Sequence, residues 1–166
     1  YGLTKMTVEK YLALYHMAFG IHYVVLRFSN VYGERQGDGG EGGVISIFAK
    51  RLAKGQDITI FGNGKQTRDF VYAGDIARGI RLALTTPNAD TCYNLSTQTE
   101  ISLNELVTIL SRITGKEITP SYGPAREGDI YRSSLSNEKA VKNLHWTPEV
   151  SLEEGLKRTY QYFVKK

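Results

Sequence analysis

The run Tyr23-Val24-Val25-Leu26-Arg27-Phe28, continued by Ser29-Asn30-Val31-Tyr32-Gly33, decides the fold class. Its β-branched and aromatic side chains predict a short buried strand. Upstream, Tyr1 to Phe19 is rich in helix formers and free of proline, and Gly20 is a natural C-cap. Helix, tight turn and buried strand make half of a βαβ unit. The segment from Ser29 to Gly33 then leaves the carboxyl end of the strand, where open α/β sheets hold their ligands. Asn30 there suits either a hydrogen bond to a substrate or the capping of a turn.

The helix carries the first candidate chemistry. At about 100° per residue, Tyr1, Lys5, Val8, Leu12, Tyr15 and Phe19 fall within roughly 40° of one line. That line reads as an apolar stripe facing the interior, with a tyrosine and a lysine one turn apart on it. A phenol titrates near about 10 and is a poor base at neutral pH, but a nearby ammonium favours the phenolate. The pair therefore reads either as an activated base or as a core tyrosine beside a lysine that reaches solvent.

Downstream, helix and strand signals alternate, which means α/β. Gly43 to Lys54 predicts a helix with Val44, Ile47, Phe48, Arg51 and Leu52 at helical spacing. Ile58 to Phe61 predicts a strand, Gly62-Asn63-Gly64-Lys65 a hairpin turn, and Thr67 to Tyr72 a second strand. A helix over 73–85 has Ile76, Ile80 and Leu84 on one stripe, and Cys92 to Leu95 is another short strand. The capping boxes Ser102-x-x-Glu105 and Ser151-x-x-Glu154 open helices over 103–114 and 152–164. Between them lie a strand at Glu117–Tyr122, a loop from Gly123 to Asp129 and a short helix from Ser136 to about Leu144. Trp146 is expected to pack the last helix in place.

Two phosphate-loop look-alikes fail. Gly37, Gly39 and Gly42 spell Gly-x-Gly-x-x-Gly, but the run lies well past its strand and carries Asp38 and Glu41 where a pyrophosphate would sit. Gly62 to Lys65 lacks the leading glycine of a P-loop, and Gln66 follows the lysine. His16, His22 and His145 show no metal-ligand spacing, so no metal is expected. Cys92 reads as core rather than nucleophile.

Composition sets the limits. In 166 residues, 41% of them hydrophobic, there is enough to bury a real core. A net charge of +4 from scattered basic residues favours small anions and argues against nucleic acid. No apolar run is long enough to cross a membrane. The single cysteine permits no internal disulfide, so a reducing, cytoplasmic setting is expected. The chain opens at Tyr1 with no initiator methionine, which reads as a piece of a longer protein.

Five motifs occur in order: Tyr1-Gly2-Leu3-Thr4-Lys5; Leu26 to Gly33; Ile60 to Gly64; Arg68 to Tyr72 with Asp75-Ile76-Ala77; and Arg126-Glu127-Gly128-Asp129. Together they resemble the C-terminal half of an NAD-dependent epimerase/dehydratase of the extended short-chain dehydrogenase/reductase family, most like its UDP-glucose 4-epimerases. The resemblance implies the C-terminal part of a Rossmann-type doubly wound sheet plus a small α/β substrate-binding lobe. Residues 1–33 would end the dinucleotide-binding domain. Residues 34–166 would form mainly the nucleotide-sugar lobe, with 67–97 returning to the Rossmann sheet. The family's glycine fingerprint and its catalytic Ser/Thr precede the tyrosine and have no counterpart here.

The resemblance also implies roles. Tyr1 and Lys5 would be catalytic, Tyr1 as the base on the sugar 4-hydroxyl, and Tyr1, Lys5 and Ser29 would bind NAD. Asn30, Thr59, Phe61, Arg68, Arg126 and Asp129 would bind a UDP-sugar or related nucleotide-sugar. Within that set Phe61 offers an apolar face to the base, the two arginines clamp the diphosphate and Asp129 accepts from the ribose. Bidentate arginine donors suit a diphosphate and a carboxylate suits a diol, which agrees with the residue types. The plain readings are a surface ion pair between Arg68 and Asp69 and a core role for Phe61. Arg35 is a weaker phosphate candidate. The family also implies a four-helix dimer interface on the first helix, for which Leu3, Leu14 and Met17 give part of a second apolar face. The expected activity is nucleotide-sugar 4-epimerisation. The alternatives are 4,6-dehydration or reduction within the family, or inert nucleotide-sugar binding by the isolated chain.

Overall fold

A computed structural model describes residues 2–37 and 42–166; Tyr1 and the middle of the glycine run lie outside the described residues. The elements run α1 (Gly2–Phe19), β1 (Val24–Phe28), β2 (Asn30–Tyr32), α2 (Val44–Ala53), β3 (Thr59–Phe61), β4 (Thr67–Tyr72), α3 (Ala73–Leu84), β5 (Thr91–Leu95), β6 (Glu100–Ser102), α4 (Leu103–Thr114), β7 (Ser121–Gly123), α5 (Glu138–Leu144) and α6 (Leu152–Val164). The chain is α/β. β1 pairs in parallel with β5, Val24 opposite Thr91. β4 lies between β2, parallel to it, and β6, antiparallel to it.

β4 is the shared wall of two cores. Successive strand residues point to opposite faces. Phe70 and Tyr72 enter a cluster with Ile45 and Phe48 of α2, Ile60 of β3, Leu106 and Leu110 of α4 and Leu156 of α6. Val71 enters another with Ile76, Tyr93, Leu95, Leu144 and Trp146. The capping box of α4 is complete, because Ser102 Oγ accepts from Glu105 N while Glu105 accepts from Ser102 N.

Several expectations are corrected. Gly62 to Lys65 is no hairpin, since β3 pairs in parallel with β7 and not with β4. The turn's polar groups go elsewhere: Asn63 Oδ1 accepts from Lys65 N, Gly62 N donates to Gly123 O, and Asn104 N donates to Gly64 O. Gly64 has φ 73°, and a Cβ there would stand 2.0 Å from Asn104 Oδ1. The strand foreseen at 117–122 is the shorter β7. β2 and β6, three residues each, were not foreseen.

Burial also departs from the pattern. β1 is half-buried to exposed rather than buried, because β5 is its only strand partner among the described residues. None of the described residues of α1 is buried. Val8, Tyr15 and Phe19, expected to face inward, are 56%, 50% and 69% exposed. The partly covered line is Glu9, Leu12, Ala13 and His16, turned by about 70° from the expected one. On α3, Ile76 is buried, but Ile80 and Leu84 are exposed; Gly79 takes the next inward place, against Leu95 and Trp146. Trp146 locks α3 rather than α6, its Nε1 donating to Asp75 O at 2.8 Å. Ser151 caps α6 without the reciprocal bond, Glu154 turning to Arg158 instead.

Candidate functional site

A pocket of about 640 Å³ opens between α2, β3 and the 124–129 loop, a volume suited to a small organic ligand. Asn30, Thr59, Phe61, Arg68, Arg126 and Asp129, the whole expected substrate-binding set, line it. Asn30 enters at the carboxyl end of β1, at the start of β2. Thr59 and Phe61 share one face of β3 with the buried Ile60 between them. Arg126 and Asp129 arrive from the loop after β7, placed there by the parallel β3–β7 pairing.

Arg68 does not pair with its neighbour Asp69. Its Nη2 donates to Asp129 Oδ1 at 2.6 Å and its Nη1 to Thr67 O at 2.8 Å. Asp69 turns inward and is fully buried. There it accepts from Thr97 N, Thr97 Oγ1, Gln98 N and Ser29 Oγ at 2.8–3.2 Å. Ser29 is thus fixed by its side chain at the end of β1. Arg126 stacks its guanidinium 4.2 Å from the centre of the Phe61 ring, which is 38% exposed and no plain core residue. Thr59 Oγ1 and Ser121 Oγ lie 2.8 Å apart across the β3–β7 pair.

The sequence reading missed part of the wall. Lys50, Arg51, Lys54 and Gln56 line the pocket from α2 and the turn after it. Gln66, nearly buried, holds Phe61 O through its Nε2 at 2.6 Å. Arg51 was legible as a charge on an apolar helical stripe, whereas Lys50 and Lys54 look like any solvated lysines. Together, Lys50, Arg51, Lys54, Arg68 and Arg126 oppose the single carboxylate Asp129 among the described lining residues, so the pocket favours an anion. Arg35, with φ 67°, is exposed and does not line it.

Lys5 lies exposed on α1, and the pocket lining includes neither Lys5 nor Ser29. Tyr1, the expected base, lies outside the described residues. His16 and His22, which show no metal-ligand spacing in sequence, converge on Asp90 at the opposite ends of β1 and β5 from the pocket. No described helix is long and apolar enough to cross a membrane.

Parallel α/β strand pairs flanked by helices, with an electropositive pocket beside them, define a class, the Rossmann-like α/β fold. The chain belongs to the NAD dependent epimerase/dehydratase family, whose pattern matches residues 1–96. A Methanocaldococcus jannaschii protein whose name proposes a UDP-glucose 4-epimerase is 46% identical over 162 residues, 98% of this chain and 52% of its own. The UDP-glucose 4-epimerase of Thermotoga maritima, solved with UDP-glucose, superposes with a TM-score of 0.95 at 42% identity, over 99% of this chain and 53% of that one. The Thermus thermophilus UDP-glucose 4-epimerase, solved with NAD, gives 0.88 at 36% identity, over 98% and 53%. Matches at 37% and 30% identity carry the names UDP-glucuronate 4-epimerase and UDP-glucuronic acid decarboxylase. The chain spans about half the length of the curated relatives it matches.

Proposed function

We propose that the protein to which this chain belongs is a nucleotide-sugar 4-epimerase of the UDP-glucose/UDP-galactose type. The observation that carries the reading is the convergence of Asn30, Thr59, Phe61, Arg68, Arg126 and Asp129 on one electropositive pocket. Arg68 and Arg126 meet the diphosphate, and their planar, charged donors suit its oxygens. Phe61 offers its open ring to the base and Asp129 accepts from the ribose. The Arg68–Asp129 pair, 2.6 Å apart, supports this reading, because it keeps a phosphate donor and a ribose acceptor side by side.

The cofactor of this family is NAD. The donor set fits it: Lys5 offers an ammonium to ribose hydroxyls, and the backbone of Ser29 lies at the carboxyl end of a parallel strand. NAD bound there supplies reversible oxidation at sugar C4. Tyr1 takes the proton of the 4-hydroxyl and returns it, and the Lys5 charge favours the phenolate it needs. In the same proposal residues 1–33 close the dinucleotide-binding domain, and 34–166 form the sugar-nucleotide lobe apart from a return over 67–97. The protein is a cytoplasmic homodimer using the exposed apolar side chains of α1. The 166 residues alone are expected to show no turnover.

The test has two parts. Calorimetric titration of the protein with UDP, UDP-glucose and dTDP-glucose should show micromolar UDP binding; preference for dTDP would move the assignment to a 4,6-dehydratase. In the full-length enzyme, Tyr1→Phe should lower kcat far more than it raises KM. Equal loss in both would make Tyr1 a binding residue only.

A further inference from the structure

We propose that His16, His22 and Asp90 form a binding site for Zn²⁺, remote from the nucleotide pocket. The three residues come from separate segments: the last turn of α1, the α1–β1 connection and the α3–β5 connection. His16 Nδ1 lies 3.2 Å from Asp90 Oδ1 and His22 Nδ1 lies 2.7 Å from Asp90 Oδ2. The two imidazole rings stand 5.4 Å apart, and one donor atom from each residue falls within 4.8 Å of the others. Ligand atoms at the corners of a tetrahedral zinc site are separated by roughly 3.3 Å, so small side-chain rotations close the set on one ion.

The chemistry selects the metal. Two imidazole nitrogens and one carboxylate oxygen suit a borderline ion such as Zn²⁺, while Mg²⁺ and Ca²⁺ prefer all-oxygen sites. The ion takes the Nδ1 lone pair of each imidazole, and each ring stays neutral with its one proton on Nε2. Water completes the coordination, since His22 is 73% exposed.

The carboxylate is held ready. Asp90 N donates to Tyr23 O at 2.7 Å, and Asp90 Oδ1 accepts from Tyr23 N at 3.1 Å. Such outer contacts orient metal ligands. Asp90 adopts φ 60°, a conformation that aspartate tolerates better than most residues.

The position gives the site its role. Tyr23 and Asp90 immediately precede β1 and β5, at the strand ends opposite those leading to Ser29 and Asn30. α1, without a buried residue among those described, is tied to β1 by the forked Glu9–Arg27 pair. An ion at His16 adds a second tie at the end of the helix. It fixes the helix that carries Lys5 without touching the pocket.

The experiment is calorimetric titration of Zn²⁺ into untagged, chelator-treated protein, repeated with His16→Gln, His22→Gln, Asp90→Asn and His145→Asn. Binding of one ion per chain at micromolar Kd, unaffected by excess Mg²⁺, is expected. Each cluster variant should weaken it by at least about tenfold, and His145→Asn should not. Added Zn²⁺ should raise the melting temperature of the parent and not of His22→Gln, while UDP affinity stays constant. If Asp90→Asn fails to fold, His22→Gln decides, because that side chain is largely solvated. No saturable binding, or equal binding by His22→Gln and His145→Asn, would overturn the proposal.

Discussion

Arg68 and Asp69 stand side by side in sequence and face opposite ways, as strand alternation requires. One guanidinium borders the pocket, and one carboxylate anchors the interior with four hydrogen bonds. Arg68→Ala therefore removes the proposed contact to the diphosphate and leaves Asp129, 38% exposed, without its partner. Calorimetry should show UDP affinity falling by about 10²-fold, the worth of a pair of charge-assisted hydrogen bonds, with little change in melting temperature. A large melting shift with unchanged affinity would make Arg68 structural. Five of the six expected pocket residues were legible because motifs carried them in order, and Thr59 because it adjoins one of those motifs. Lys50, Lys54 and Gln56 were not, since a basic or polar side chain on a helix surface or turn reads as solvated until a facing wall is known.

At the scale of elements, the helices with strong periodicity or caps were legible: α2, α4 and α6 lie within about a residue of their expected bounds. The three-residue strands β2 and β6 are too short to show a period. The β3–β7 pairing joins residues some sixty positions apart, and a local Gly-Asn-Gly turn signal outweighed it in the reading. The face of α1 was misjudged because its described residues bury nothing, so apolar spacing had no interior to report. Gly155 shows packing that spacing hides: a Cβ there would stand 2.1 Å from Tyr32 Oη, on the line where α6 meets the first core. Gly155→Ala should destabilise the protein by about 1–3 kcal/mol despite its better helix propensity, read as a lower denaturation midpoint. Equal or higher stability would mean that Tyr32 yields freely.

At the scale of the whole molecule, several carboxylates lie below their ordinary range because folding gives them donors. Arg27 lowers Glu9 and Ser102 lowers Glu105. Glu100 is held at about 2, first by Arg132 and then by the Thr67 hydroxyl. A depressed folded value means that the stabilisation is complete above the ordinary value of 4.5 and fades as the pH falls towards 2. Denaturation midpoints measured from pH 7 to 2.5 should show the parent losing more stability than Glu100→Gln. Parallel curves would remove Glu100 from the acid response.

The four bonds to Asp69 also bear on how the protein breathes. The amides of Thr97 and Gln98 hang on a carboxylate whose chain neighbour borders the pocket. They can exchange with solvent only when that carboxylate lets go. Deuterium uptake at Thr97 and Gln98 should therefore slow when UDP is bound, while uptake along α5 stays unchanged. An unaltered rate at both amides would show that the strand keeps the two sides of its backbone independent.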